Sequence, residues 1–238
     1  MINGSNIIAI IPARGGSKGL PDKNIMELCG KPLLGWSIDA GLASKYIDEV
    51  VVTTDSEDIA SIARDFGASV PFMRPAELAS DTATSFDAIK HTIDFYENRL
   101  NKRFEYIVLL EPTSPLREKN DIDEMIEKII SVEKQFDAII SLGEVHEHPS
   151  IMKKLISNKI TSYCNELDMA SRRQDNESAY FPYGVAYIVK TKTLMDEKSF
   201  YPKRTTYYLL KRYQCFEIDD IYDFIAIENI MKHEWNIK

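Results

Sequence analysis

Residues 7–24 read IIAIIPARGGSKGLPDKN. An apolar run ends at Pro12 and empties into a loop that holds Arg14, Gly15, Gly16, Ser17, Lys18, Gly19 and Lys23. Those residue types in that order suit the gripping of a polyphosphate. Glycines let backbone N–H groups come close to a ligand and adopt positive φ at little cost. The basic side chains neutralise phosphate charge. Pro12 has no N–H for a central strand, so the turn falls where the loop must start. The spacing is neither a Walker A loop nor a G-x-G-x-x-G dinucleotide fingerprint. Taken alone, the segment also fits a surface loop with incidental lysines.

A second group lies near the other end of the chain. Glu217 and Asp219 flank Ile218. In an extended strand, side chains at i and i+2 share a face, so both carboxylates can meet one cation. Hard oxygen ligands suit Mg²⁺. Capping of a following helix accounts for Asp219 or Asp220 but not for Glu217. His146 and His148 form an H-x-H with no third ligand nearby, which reads as a solvated loop rather than a metal site.

These groups need a scaffold, and the hydrophobic pattern supplies one. Strands are expected at 7–11, 49–53, 106–110 and 137–142, with at most a short one at 70–72. Helices are expected at 31–44, 56–66, 85–100 and 120–132. In the last, Ile122, Met125, Ile126, Ile129 and Ile130 recur at helical spacing. Such βαβα alternation implies an α/β fold, a doubly wound and mostly parallel sheet covered on both faces. Ligands on that architecture sit outside the carboxyl ends of the strands. The polar loops at 14–24, 54–56 and 111–117 would all open there and could line one cleft.

After Gly143 the pattern changes. Residues 144–180 are polar and irregular, with weak strand signals at 151–155 and 160–163. Alternation returns at 185–189, strands are expected at 206–210 and 214–218, and a closing helix at 220–232. The chain thus reads as a single domain, 1–238, with an excursion at about 145–205 suited to dimer contact or substrate cover.

The 238 residues carry a net charge of −8. An acidic chain with one local cluster of positive charge suits a small anionic ligand and argues against a nucleic-acid partner. Cys29, Cys164 and Cys215 form no framework, the pattern of reduced thiols in a cytoplasmic protein. No signal peptide and no apolar run long enough for a membrane span is seen.

Five pieces then fall in order: IPARGGSKGLPDKN, RPAELASDTATS at 74–85, LLEPTSPLR at 109–117, RRQ…YFPYG at 172–184, and EIDD at 217–220. Together they resemble the acylneuraminate cytidylyltransferases, over nearly the whole chain. The resemblance implies a Rossmann-like nucleotidyltransferase fold whose small insertion reaches into the partner subunit of a homodimer. It also implies a reaction in which the anomeric hydroxyl of a nonulosonic acid attacks the α-phosphorus of CTP and pyrophosphate leaves. Mg²⁺, or Mn²⁺ in its place, would bridge phosphate oxygens.

By this resemblance Arg14, Gly15, Ser17, Lys18, Lys23 and Asn24 hold the nucleotide, and Arg14 and Lys23 stabilise transition-state charge. Arg74 and Ser85 approach the base or ribose. Arg173 meets the sugar carboxylate, Tyr183 stands beside Gly184 where the family has an N-G pair, and Phe200 and Tyr201, contributed across the dimer, cushion the acyl group. Core packing accounts for that last pair equally well. Lys153 or Lys154 would approach the phosphates from the excursion. Glu217 and Asp219 seat the metal, the first being Asp in most of the family.

Glu111 departs from the pattern, since sialic-acid members commonly carry Gln there. Gln both donates and accepts hydrogen bonds, whereas ionised Glu only accepts. A carboxylate would repel the sugar's own carboxylate but accept from an extra amide N–H, which points to legionaminic acid rather than N-acetylneuraminic acid. The alternative is a Glu that points away or pairs with Arg117. Rival readings are a CMP-pseudaminic acid synthetase, a 3-deoxy-manno-octulosonate enzyme, a sugar-1-phosphate nucleotidyltransferase, and a non-catalytic regulator that binds CTP or the sugar.

Overall fold

A computed structural model describes residues 2, 4–17, 19–164 and 177–237. Its first strand, β1 (Ile7–Pro12), is buried except at its last residue, because helices cover both faces of the sheet. β2 (Glu27–Leu28) and β3 (Lys31–Pro32) follow as a small hairpin. Its turn residues Cys29 and Gly30 sit at φ 51° and 76°, the paired positive values of a tight hairpin turn. That hairpin takes the first two residues of the expected helix 31–44, so α1 spans Leu33–Ala43.

Next come β4 (Glu49–Thr53), α2 (Glu57–Asp65) and α3 (Ser85–Leu100). Ser56 caps α2 through the Ile59 N–H, and Thr84 forms a capping box with Asp87. The short strand considered at 70–72 does not form; an isolated bridge, Val51 to Ser69, lies just before it. β5 (Tyr106–Leu109), α4 (Asp121–Ser131) and β6 (Ala138–Glu144) continue the alternation.

β7 (Lys153–Ile156) and β8 (Lys159–Ser162) form an exposed hairpin of their own. β9 (Tyr180–Lys190) returns to the main sheet and pairs antiparallel with both β5 and β6. Within the stretch 145–205, then, β9 belongs to the middle of the sheet. Its run from Val185 to Val189 is buried on both faces and so lacks polar alternation. α5 (Thr191–Glu197), β10 (Thr205–Leu209) and α6 (Ile221–Trp235) complete the chain.

The main sheet has the order β10-β6-β9-β5-β1-β4. Its pairs β1–β4, β1–β5 and β6–β10 are parallel. One core lies between the sheet and α1, α2 and α4, a second under α3 and α5. From β1 the chain winds to β4 on one side, and from β5 it winds toward β6 on the other. The junction of β1 and β5 is therefore a topological switch point, where the loops part and leave a crevice.

The strand expected at 214–218 does not form. Residues Arg212–Gln214 make a single 3-10 turn. The chain then crosses the strand ends, and the Ile218 N–H donates to the Thr113 carbonyl at 2.8 Å. Ile218 is fully buried with Leu28, Leu33, Leu116 and the inner face of α6. Its apolar signal records this anchor rather than a place in the sheet.

Candidate active site

The loop after β1 is braced from three directions. The Asn24 amide donates to the Arg14 carbonyl at 3.1 Å, closing the loop on itself. The Gly15 N–H donates to Asp55 Oδ1 at 3.1 Å, and the Gly15 Cα lies so close to Ser56 that an added Cβ would stand 3.1 Å from that side chain. The polar loop after β4 therefore buttresses the first loop from behind. Gly19 approaches the Asp219 carbonyl so closely that a Cβ would meet it at 2.3 Å, so only glycine fits there.

Opposite stands the 111–118 loop, locked by one buried guanidinium. Arg117 donates through Nε to the Val185 carbonyl at 2.6 Å and through Nη1 to Ser37 at 2.9 Å. Its Nη2 donates to the carbonyls of Glu111 at 2.7 Å and Gly184 at 2.9 Å. Burial lowers the Arg117 pKa to about 10, with Glu111 and Asp121 acting against that shift. The alternative in which Glu111 pairs with Arg117 is thus realised through the Glu111 backbone; its carboxylate takes no hydrogen bond among the described residues.

Between these walls lies a cavity of about 550 Å³, lined by Arg14, Ser17, Gly19, Lys23, Asn24, Glu111, Glu217 and Asp219 among others. Residues far apart in sequence meet here. The Lys23 ammonium donates to the Ile218 carbonyl at 2.6 Å and lies 3.6 Å from Asp219 Oδ1. Its side chain is 12% exposed, whereas that of Asp219 is 84% exposed. Glu217 Oε1 accepts from Ser114 Oγ at 2.8 Å and from the Gly184 N–H at 2.7 Å. Asp220 faces away and caps α6 in a capping box with Asp223, whose carboxylate also accepts the Asp219 N–H at 2.9 Å.

Glu111 carries the largest electrostatic perturbation in the cavity. Burial, then the nearby charge of Glu217, raise its pKa from 4.5 to about 7, against a lowering by Arg117. Beneath it, Tyr187 is buried on β9. Burial raises that phenol's pKa, and the charge of Glu111 adds to the effect.

A smaller cavity of about 220 Å³ adjoins the first and shares Pro12 and Arg14 with it. Arg74 and Ser85 line it. Arg74 is buried rather than in a surface ion pair; its Nη2 donates to the Thr53 carbonyl at 2.6 Å, and burial lowers its pKa. Its Nε is buried without a hydrogen-bond partner among the described residues. Arg14 meets Asp81 across this cavity at 2.9 Å.

The remaining expected site residues lie elsewhere. The Tyr183 ring packs edge-on against Phe181 and over Gly143. Phe200 is buried in the core beside Tyr187, and the half-exposed Tyr201 also leans on Tyr187. None of the three lines either cavity. Lys153 and Lys154 stand on the exposed β7–β8 hairpin. His148 is bound to Ser150 and to the Glu177 carbonyl. Lys18 and Arg173 lie outside the described residues. Ser114, Arg117 and Gly184 hold the site together, although only the E-P-T-S-P-L-R run hinted at the first two. Their partners come from distant segments and leave no local pattern.

A larger cavity, about 730 Å³, lies behind the 111–118 loop between α1 and the end of α6. Its charges are largely paired internally, Lys31 with Asp39 and Lys211 with Glu118. The chemistry concentrates at the switch point, where a braced basic loop faces an acidic segment. That is an α/β protein whose cleft suits a polyphosphate and a divalent cation.

Comparison with known proteins points to one family. A family model described as cytidylyltransferase matches residues 8–234. The chain belongs to the cytidylyltransferase family. It is 40% identical to an N-acylneuraminate cytidylyltransferase of Streptococcus agalactiae over 92% of its length, but it spans only 52% of that protein; it thus covers about half of such relatives. It is 35% identical to the CMP-N,N'-diacetyllegionaminic acid synthase of Legionella pneumophila, covering 95% of this chain and 96% of that one. A pseudaminic acid cytidylyltransferase of Campylobacter jejuni is 32% identical, covering 95% and 97%. Among solved structures, a CMP:2-keto-3-deoxy-manno-octonic acid synthetase complexed with CTP shares the fold, with a TM-score of 0.70 at 15% identity, covering 97% of this chain and all of that one.

Proposed function

We propose that this protein transfers CMP from CTP to a nonulosonic acid, with release of pyrophosphate. The observation that carries the proposal is the single cavity in which Arg14, Lys23, Glu111, Glu217 and Asp219 converge. Relatives of nearly the same length act on legionaminic and pseudaminic acids by name.

The triphosphate lies against Arg14, Gly15, Ser17, Lys23 and Asn24, with Lys18 on the same loop. The base and ribose extend into the smaller cavity toward Arg74 and Ser85. Arg14 and Lys23 oppose the charge that grows as the sugar's anomeric oxygen attacks the α-phosphorus. Arg14 can bridge two oxygens, while Lys23 supplies a compact charge.

Mg²⁺, or Mn²⁺ in its place, fits the acidic wall. Asp219 is open to solvent, and among the described residues Glu217 has one oxygen without a hydrogen bond and no cluster of three or more metal-ligating side chains occurs. Mg²⁺ commonly binds through one or two carboxylates and completes its shell with phosphates and water. Glu217 and Asp219 would hold such an ion, whose charge would ease departure of pyrophosphate.

Glu111 borders the acceptor side, and we assign it the reading of an acylated nitrogen, which favours legionaminic acid over N-acetylneuraminic acid. Arg173, with Tyr201 from a second subunit, would complete the acceptor pocket. We place the enzyme in the cytoplasm as a homodimer. Its thiols are free, no described helix is long and apolar enough to cross a membrane, and the β7–β8 hairpin exposes Leu155 and Ile160.

The test is a panel of neuraminic, legionaminic and pseudaminic acids, each with CTP and Mg²⁺, read by pyrophosphate release and by mass of the CMP product. A CMP-legionaminic product supports the reading. A pseudaminic product moves the substrate assignment, and CTP binding without pyrophosphate release from any acid overturns the proposal. Glu111→Gln should shift preference toward N-acetylneuraminic acid; an unchanged preference removes Glu111 from selection.

A further inference from the structure

Glu217 reaches the cavity from a segment without secondary structure of its own, so something else must orient it. Two donors do so, and both act on one oxygen. Ser114 Oγ lies 2.8 Å from Oε1 and the Gly184 N–H lies 2.7 Å from the same atom. Oε2 has no hydrogen bond among the described residues, which leaves it for whatever occupies the cavity.

The donors are themselves fixed. Ser114 is fully buried, and its N–H donates to the Glu111 carbonyl at 3.2 Å. The Gly184 carbonyl accepts from Arg117 Nη2 and from the Glu111 N–H. A Cβ on Gly184 would stand 2.2 Å from Glu111 Oε2 and 2.9 Å from Ser114 Oγ. Glycine alone lets strand β9 approach closely enough to donate its amide to Glu217.

We propose that Ser114 is a positioning residue which, with the Gly184 amide, commits one oxygen of Glu217 and presents the other to the nucleotide-borne divalent cation. This rests on the metal reading given above, and it assigns the orientation of Glu217 to a hydroxyl 103 positions away in sequence. Fixing a ligand by hydrogen bonds to its other atoms raises metal affinity. Removing such a partner typically costs about 10- to 100-fold.

The experiment is Mn²⁺ titration of the protein in the presence of CTP, followed by electron paramagnetic resonance of the free ion. Ser114→Ala should weaken Mn²⁺ uptake about tenfold or more, with the thermal midpoint and metal-free CTP affinity near wild type. Ser114→Cys, similar in size and a weaker donor, should fall between the two and serves as the informative variant should Ser114→Ala fold poorly. In a Glu217→Gln background, Ser114→Ala should add no further loss, because its effect runs through Glu217. Additive losses, or Mn²⁺ affinity unchanged in folded Ser114→Ala and Ser114→Cys, overturn the inference while leaving the metal reading standing. Wild-type protein that takes up no Mn²⁺ with CTP overturns both.

Discussion

Lys23 and Arg14 face the same cavity but are held differently. Lys23 is sheltered, tied to the Ile218 carbonyl and drawn toward Asp219. Arg14 reaches Asp81 across the neighbouring cavity with about a third of its side chain exposed. Exposed ion pairs contribute little to stability, so Arg14 is free to exchange a carboxylate for a phosphate. Arg14→Ala and Lys23→Ala should each lower kcat by about 10²–10³, the range found for donors that act on developing charge. Their thermal midpoints should move far less. Normal pyrophosphate release by a folded variant would remove that residue from the mechanism. Glu111 yields a second prediction, in protein free of nucleotide and metal. Its pKa in the fold is about 7 against an ordinary 4.5. Between those values the folded chain keeps a proton that the unfolded chain has released. The group's favourable contribution is therefore complete below about pH 4.5 and is lost as pH rises toward 7. Glu111→Gln lacks this loss, so its thermal midpoint relative to wild type should rise between pH 4.5 and 7 and then level off. A difference independent of pH would show that Glu111 titrates normally.

At the scale of elements, the start of α6 separates two neighbouring acids by role. Asp220 accepts the N–H groups of Tyr222 and Asp223, satisfying donors that the helix leaves unpaired. Asp219 instead projects into the cavity. Asp220→Ala should cost about 1 kcal/mol, as loss of an N-cap does, measured by denaturant unfolding, and should leave the Mn²⁺ response near wild type. Asp219→Ala should show the reverse. Equal effects of both substitutions on stability and on Mn²⁺ would contradict this division. The sequence showed the first half of the sheet well, because β1, β4 and β5 each announce themselves as short apolar runs between helices with clear caps or periodicity. It showed the second half less well. The 214–218 segment carries strand-like residues yet anchors a crossover, since Ile218 is buried among Leu28, Leu33, Leu116 and the inner face of α6 rather than by pairing in the main sheet.

Across the whole molecule, apolar exposure concentrates outside the main sheet. Leu155 is 78% exposed and Ile160 is 72% exposed on a hairpin with no core beneath it among the described residues. An isolated two-stranded hairpin is marginal in water, and apolar clusters of this kind mark interaction surfaces. Leu155→Asp with Ile160→Asp should convert the proposed dimer to a monomer in sedimentation velocity, with the thermal midpoint of the monomer little changed. A wild-type protein that sediments as a monomer at micromolar concentration would sink the dimer reading.

The sequence alone determined the alternating α/β architecture, the basic loop after the first strand and the acidic pair near the end, because each is written in contiguous residues or in a short period. It also placed Arg74 and Ser85 on a segment separate from the first loop. Only the tertiary structure decided that the Tyr183 ring lies against Phe181 and the Phe200 ring against Tyr187, and that β9 runs antiparallel through the middle of the sheet. It also decided that Glu217 is oriented by Ser114 and Gly184. The orientation of Glu217 depends on partners 103 and 33 positions away, and a local pattern holds no record of which distant backbone will come close enough to donate a hydrogen bond.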